Sequence, residues 1–291
     1  MECEYDLFGE KVEKNALLRD KFIEPPFSVL DTKTGQWQNR KRAWKQLGIQ
    51  SEMGRDVKVI DNSFAEKYGR KDMPEASIFD PALCELMYHW FCVDGGNILD
   101  PFAGGSVRGI VANYLGYNYT GIELRQEQVD SNRVQAADIV DIERQPQWYF
   151  GDSDSVLDSE WNIRFDFIFS CPPYFDLEKY SDDENDLSTM DQLAFETKYQ
   201  SIITKSVALL KPGCLACFVV GDVRDKKGYY RGLPDMTRRC FENAGAMFYN
   251  DCVLLQPLGT AMLRANRQFT AGLKVVKVHE NVLVFKKPQT S

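Results

Sequence analysis

The 291-residue sequence predicts an α/β fold built on a parallel, doubly wound sheet of seven strands. Three observations predict it. Short apolar runs alternate with helical stretches from about Ser77 to Phe285. A glycine turn, Asp100-Pro101-Phe102-Ala103-Gly104-Gly105-Ser106, separates one such run from a helical stretch. A second run ends in a stiff corner, Ser170-Cys171-Pro172-Pro173-Tyr174. Its two prolines fix φ, remove two donors and leave carbonyls unpaired at a strand's carboxyl end. That edge of an open α/β sheet is where ligands bind.

The elements follow in order. Residues 1 to about 20 show no periodicity and read as a loosely docked arm. Asp31 to Gly35 reads as a turn, and Trp37 to Leu47 as a short helix carrying Arg40, Lys41 and Arg42 beside Trp37 and Trp44. Bases interleaved with aromatics suit nucleic acid, but tryptophan is usually buried, and anchoring is the favoured reading. Asp56 to Pro74 reads as a linker. Apolar residues from Ile78 to Phe91 recur at helical spacing, with a start near Pro81. After the glycine turn a helix runs to Leu115. Strands follow at Tyr117 to Ile122 and Trp148 to Phe150, around a helix from Gln126 to Val140. The Phe165 to Phe169 strand enters the proline corner. A helix from Asp191 to Leu210 is stopped by Lys211-Pro212-Gly213, before a strand from Cys214 to Val220. A helix from Arg231 to Ala244 and strands at Met247 to Leu254 and Val282 to Phe285 complete the chain.

Composition sets limits. Hydrophobic residues at 44% and charged residues at 27% are ordinary for a globular protein. No apolar run reaches the ~20 residues of a membrane span. The first residues lack a signal-peptide pattern. The eight cysteines are scattered and read as reduced, so the expectation is a cytoplasmic protein. Cys214 and Cys217 have no second pair and the chain holds two histidines, so no metal site is assigned. The net charge of -8 argues against bulk polyanion binding. It is uneven, however. Residues 143–196 hold 14 acids and 3 bases, and residues 205–287 hold 14 bases and 6 acids. Such asymmetry can mark a phosphate-binding face.

The site reading starts from the glycine turn, where backbone can approach a ligand closely. Nineteen positions after Gly104 comes Glu123, an acid placed to accept ribose hydroxyls. The turn is not G-x-G-x-x-G and suggests a ligand with a ribose and a base but no pyrophosphate. Asp152 follows the next strand. Tyr174 and the corner's carbonyls suit a planar group with an exocyclic amine, such as a flipped base.

Asp100-Pro101-Phe102-Ala103-Gly104-Gly105 with Ser170-Cys171-Pro172-Pro173-Tyr174 resembles the S-adenosylmethionine-dependent DNA amino-methyltransferases of phage or restriction-modification type. The resemblance covers about Ser77 to Lys287. It implies a Rossmann-like fold in which His279-Glu280-Asn281 leads into an antiparallel closing strand. It divides the chain into an N-terminal extension or small subdomain (1–75) and a catalytic domain (76–291) with a reduced target-recognition region near 222–272. It implies that Ser77, Phe79, Asp100, Phe102, Gly104, Glu123 and Asp152 bind the cofactor, S-adenosylmethionine. Ser170, Cys171, Pro172, Pro173 and Tyr174 would hold the amine of a flipped base, adenine N6 ahead of cytosine N4, and Phe175 would widen the platform. The family has Asp, Asn or Ser directly before Pro-Pro-Tyr. Here it is Cys171, and a thiol is a weak acceptor, so Ser170 or a backbone carbonyl is the substitute. A nucleophilic Cys171 has no evident activating partner.

The acidic loop 182–186 reads as a flap without DNA contact. Double-stranded DNA would be met by Arg224, Lys226, Lys227 and Arg231, and by Arg264 and Arg267 in a later loop. Arg264 to Gln268 has side chains that read guanine and adenine edges. RNA or a protein amide as substrate, or a catalytically dead cofactor-binding module, are the rival readings.

Overall fold

The structure, a computed structural model, describes residues 18–49, 79–177, 180–259 and 261–289. Ser77 lies outside the described residues. Among the described residues the strands are β1 (Val29–Asp31), β2 (Asn97–Asp100), β3 (Asn118–Glu123), β4 (Gln147–Phe150), β5 (Phe165–Ser170), β6 (Leu210–Val220), β7 (Met247–Leu255) and β8 (His279–Lys286). They form one sheet in the order β1-β7-β8-β6-β5-β2-β3-β4. β8 is antiparallel to β6 and β7, and every other pair is parallel. The fold is the Rossmann-like, doubly wound α/β class with an antiparallel closing strand, but with eight strands rather than seven.

The added strand is β1, beside β7 at the edge. Three residues are too short to show a period of two, so only the pairing of Leu30 with Leu254 and its neighbours makes a strand there. Another difference lies at β6. The helix before it does not end in a Pro-Gly loop, because Leu210 already pairs with Phe165. The next registered pair is Phe167 with Leu215, so five residues on β6 span two on β5. Gly213, at φ 79°, takes the left-handed turn of that irregularity.

The helices are α1 (Leu18–Phe22), α2 (Gly35–Gln46), α3 (Pro81–Phe91), α4 (Val107–Tyr114), α5 (Gln126–Ile139), α6 (Ser153–Val156), α7 (Gln192–Leu209), α8 (Leu233–Asn243) and α9 (Ala261–Gly272). Local chemistry sets their starts. Asp80 accepts from Ala82 N with Pro81 in the first turn, and Asp191 accepts from Ala194 N. α9 occupies the stretch read as a loop around Arg264 and Arg267. Its apolar residues Met262, Leu263 and Phe269 are exposed and only Ala261 is buried, so no core-facing stripe announces a helix.

The sheet is covered on both faces. Leu86, Met87 and Tyr88 of α3 and Ile110 of α4 pack on Phe167 and Phe169. Phe195, Tyr199 and Ile203 of α7 and Phe241 of α8 pack on Ile168 and Phe218. Alternate residues of β5 thus serve opposite layers, and each large side chain so buried contributes about 1.5–3 kcal/mol.

α2 is held against α3 by its tryptophans. Trp37 and Trp44 are buried, and their indole N–H groups donate to Asp80 (3.1 Å) and Glu85 (2.8 Å). Arg40 pairs with Glu85 and Lys41 with Asp80. The anchoring reading holds for these tryptophans, whose rings are unavailable for stacking on bases. No described helix is long and apolar enough to cross a membrane.

Candidate active site

β2 and β5 are neighbours. From β2 the chain goes outward to β3 and β4, and from β5 the other way to β6. The order therefore reverses between them and opens a crevice at their carboxyl ends. The glycine turn leaves β2 and the proline corner leaves β5, so both enter that crevice.

The two are bonded to each other. Asp100 is fully buried and its carboxylate accepts four hydrogen bonds. Oδ1 takes Ser170 Oγ (2.6 Å) and Phe102 N (3.2 Å), and Oδ2 takes Arg108 Nε (2.5 Å) and Tyr119 OH (2.7 Å). Ser170 Oγ also accepts from Phe102 N (3.2 Å). Burial works against the charge on Arg108, but Asp100 foremost, with Tyr119 and Cys171, together outweigh it, so the guanidinium is held charged. Asp100 and Ser170, expected at the cofactor and at the amine, are fully buried and neither borders the neighbouring cavity. Both are core groups that lock the turn to the corner, a role sequence spacing does not distinguish from lining.

Beside this lock lies a cavity of about 460 Å³. Phe79, Phe102, Gly104, Glu123 and Asp152 line one part of it, and Cys171, Pro172, Pro173 and Tyr174 another. Gly104 has φ 51°, and a Cβ there would meet nothing within 4 Å. The turn thus borders open space large enough for a ligand. Glu123 Oε2 accepts from Gly104 N (3.0 Å) and Oε1 from Arg125 N (3.0 Å), which fixes the carboxylate at the cavity edge. Asp152 caps α6 and pairs with Lys198 at 3.1 Å. Phe79 lies under Arg108, 4.6 Å from its guanidinium carbon.

At the corner, Tyr174 OH donates to Glu280 Oε1 (2.8 Å), and Cys171 Sγ lies 3.5 Å from the Tyr174 hydroxyl oxygen. A phenol has one proton and a carboxylate only accepts, so the thiol is the donor to Tyr174. Burial, reinforced by the charge of Glu280, pushes the Cys171 thiol up to about 12. The side chain is therefore a protonated thiol, and a nucleophilic role is set aside. Tyr174 packs on Gly221, where a Cβ would come within 2.8 Å of the ring. Glu280 and Gln256 also line the cavity, with Gln256 Nε2 donating to Glu280 Oε2 (2.6 Å). In the sequence Glu280 stands out only as part of the lead into the antiparallel closing strand. The available signal was a carboxylate at the start of an antiparallel strand, which lies at the carboxyl edge of its parallel neighbours.

Two neighbours differ from expectation. Phe175 is buried under Arg231, 3.7 Å from its guanidinium carbon, and does not extend a platform. The acidic loop is tied down rather than free. Asp186 is buried and accepts from Ser181 N (2.7 Å) and Ser188 N (2.8 Å), and Asn185 accepts from Lys198 (2.8 Å).

The basic residues separate into two kinds. Arg224 donates to Gly228 O (2.8 Å) and stacks 3.8 Å from the Tyr230 ring, and Arg231 pairs with Asp176. Lys226, Lys227, Arg264 and Arg267 are exposed. The two segments meet, since a methyl group on Gly228 would collide with Lys274 Nζ.

No protein-family model matches the chain, and no curated protein matches it in sequence. Solved structures match in fold. TrmN from Thermus thermophilus is 15% identical with a TM-score of 0.48, over 72% of this chain and 49% of its own. The present chain thus spans about half that protein's length. A TehB-like SAM-dependent methyltransferase from Corynebacterium glutamicum is 16% identical with a TM-score of 0.44, covering 78% of this chain and 97% of its own. The [4+2]-cyclase SpnF is 16% identical with a TM-score of 0.49, covering 75% of this chain and 86% of its own. These likenesses concern the fold alone.

Proposed function

We propose that this chain is an S-adenosylmethionine-dependent methyltransferase that modifies the exocyclic amine of a flipped base in double-stranded DNA, adenine N6 ahead of cytosine N4. One observation carries the reading. The glycine turn and the proline corner are hydrogen-bonded across the switch point and open into one cavity. Its volume, about 460 Å³, lies within the range of small-molecule sites, about 300–1,000 Å³.

The residues fit the cofactor. Open space at Gly104 admits a nucleoside, and the Glu123 carboxylate, fixed at the cavity edge by Gly104 N and Arg125 N, is the acid placed to meet ribose hydroxyls. Phe79 and Phe102 give an apolar wall, and Asp152 lies at the same cavity. When bound, S-adenosylmethionine supplies an activated methyl group on a sulfonium. The chain's own residues position and exclude water. Tyr174 offers a ring face for the base, held by Glu280 and by packing on Gly221. The Pro172 carbonyl, at a corner where residues 172 and 173 carry no N–H, accepts from the amine. Lys226, Lys227, Arg264 and Arg267 meet phosphates, in a recognition region near 222–272.

The test is nucleoside mass spectrometry after incubating the protein with S-adenosylmethionine and unmethylated DNA of mixed sequence. N6-methyladenine is the expected product. N4-methylcytosine moves the target base, and methyl transfer to RNA or protein amides instead moves the substrate. S-adenosylhomocysteine binding without any transfer marks a dead module.

A further inference from the structure

The methyl acceptor needs a hydrogen-bond partner, and the side chains ahead of Pro172 do not provide one. Ser170 is buried and committed to Asp100. Cys171 is a protonated thiol whose donor capacity is directed at Tyr174. Glu280 stands in the same cavity as Cys171, Pro172 and Tyr174. β8 runs antiparallel to β6 and β7, so its first residues lie at the carboxyl edge of both. Glu280 registers with Leu254, and Asn281 with Val220. Each carboxylate oxygen takes one bond, from Tyr174 OH and from Gln256 Nε2, and each keeps a lone pair.

We propose that Glu280 is the acceptor that position 171 lacks: its carboxylate takes a hydrogen bond from the target amine and then the proton that the amine loses. This rests on the amine-methylation reading above. The balance is simple. The nitrogen lone pair forms the new N–C bond, and the S–C pair stays on sulfur, which turns from sulfonium to neutral thioether. The nitrogen sheds one proton, and the carboxylate takes it. Tyr174 and Gln256 set the orientation of Glu280. The titratable and charged groups around it are Tyr174 and Cys171 at the corner and Lys277 just before β8, whose charge is disfavoured by burial and supported by Asp222 and Glu280.

The experiment compares wild type with Glu280→Gln, a near-isosteric change that still accepts from Tyr174. Labelled S-adenosylmethionine and unmethylated mixed-sequence DNA are used, with S-adenosylhomocysteine calorimetry and thermal melting alongside. The expected result is a loss of transfer of ~100-fold or more, the lower range for general acid-base groups. Melting and S-adenosylhomocysteine affinity stay unchanged. A Cys171→Asp change in the Glu280→Gln protein restores at least ~10-fold, because it returns a carboxylate to the corner. A Glu280→Gln protein as fast as wild type overturns this inference alone. The absence of transfer by wild type to DNA overturns the proposed function and the inference with it.

Discussion

Asp100→Ala separates a structural lock from a cofactor contact. The substitution leaves the guanidinium of Arg108 without its partner in a site where the Arg108 side chain is 6% exposed and that of Asp100 fully buried. Removing one member of a buried ion pair costs about 3–5 kcal/mol. It also strips partners from Tyr119 OH and Ser170 Oγ, each an orphaned donor worth about 1–3 kcal/mol. These terms overlap, so about 5 kcal/mol is the working figure, against about 5–15 kcal/mol for a whole domain. At ~2–4 °C per kcal/mol, the melting temperature falls by about 10–20 °C. Tyr119→Phe, which removes one of four donors, costs about 1 kcal/mol. The assay is thermal melting followed by circular dichroism, with S-adenosylhomocysteine calorimetry on whatever remains folded. An Asp100→Ala protein that melts like wild type but binds the ligand poorly would refute the lock and restore a lining role.

Other outcomes follow from the same geometry. Gly221→Ala drives a methyl group to within 2.8 Å of the Tyr174 ring, so transfer is expected to fall while S-adenosylhomocysteine affinity holds; an unchanged rate removes Tyr174 from the site. Replacing Lys226 and Lys227 together by alanine weakens DNA binding uniformly and lowers the salt slope by about 2, measured by binding isotherms at several salt concentrations; an identical slope excludes phosphate contact there. Stability falls in alkali. Burial raises seven thiols, with Cys92, Cys171 and Cys240 pushed up to about 12, and five tyrosines. Below the unfolded thiol value of about 8.5 both states are protonated and this contribution is intact. Above it the unfolded state ionises alone, and the contribution is lost as pH rises through the folded values. Lys277 and Lys287 act in the opposite sense but are two against twelve. Urea midpoints at neutral and alkaline pH measure it, and a flat profile counts against the buried thiols.

Much of this molecule was legible in one dimension. Period and punctuation located seven strands, and helix starts such as Pro81 and Gln192 follow from neighbouring caps, Asp80 and Asp191, that act within a few residues. The glycine turn and the proline corner were recognisable because backbone constraints are local chemistry. β1 and α9 were not, because one is made by pairing with a distant strand and the other buries no stripe. The division of labour inside the site was also hidden. Asp100 and Ser170 read as lining residues, yet they turn inward to each other across 70 positions, while Glu280, 106 positions from Tyr174, turns toward the cavity. Motifs announce which backbone corners a chain can make. Whether a carboxylate beside such a corner faces core or ligand depends on donors brought from elsewhere by the sheet, and that arrangement exists only once the strands have paired.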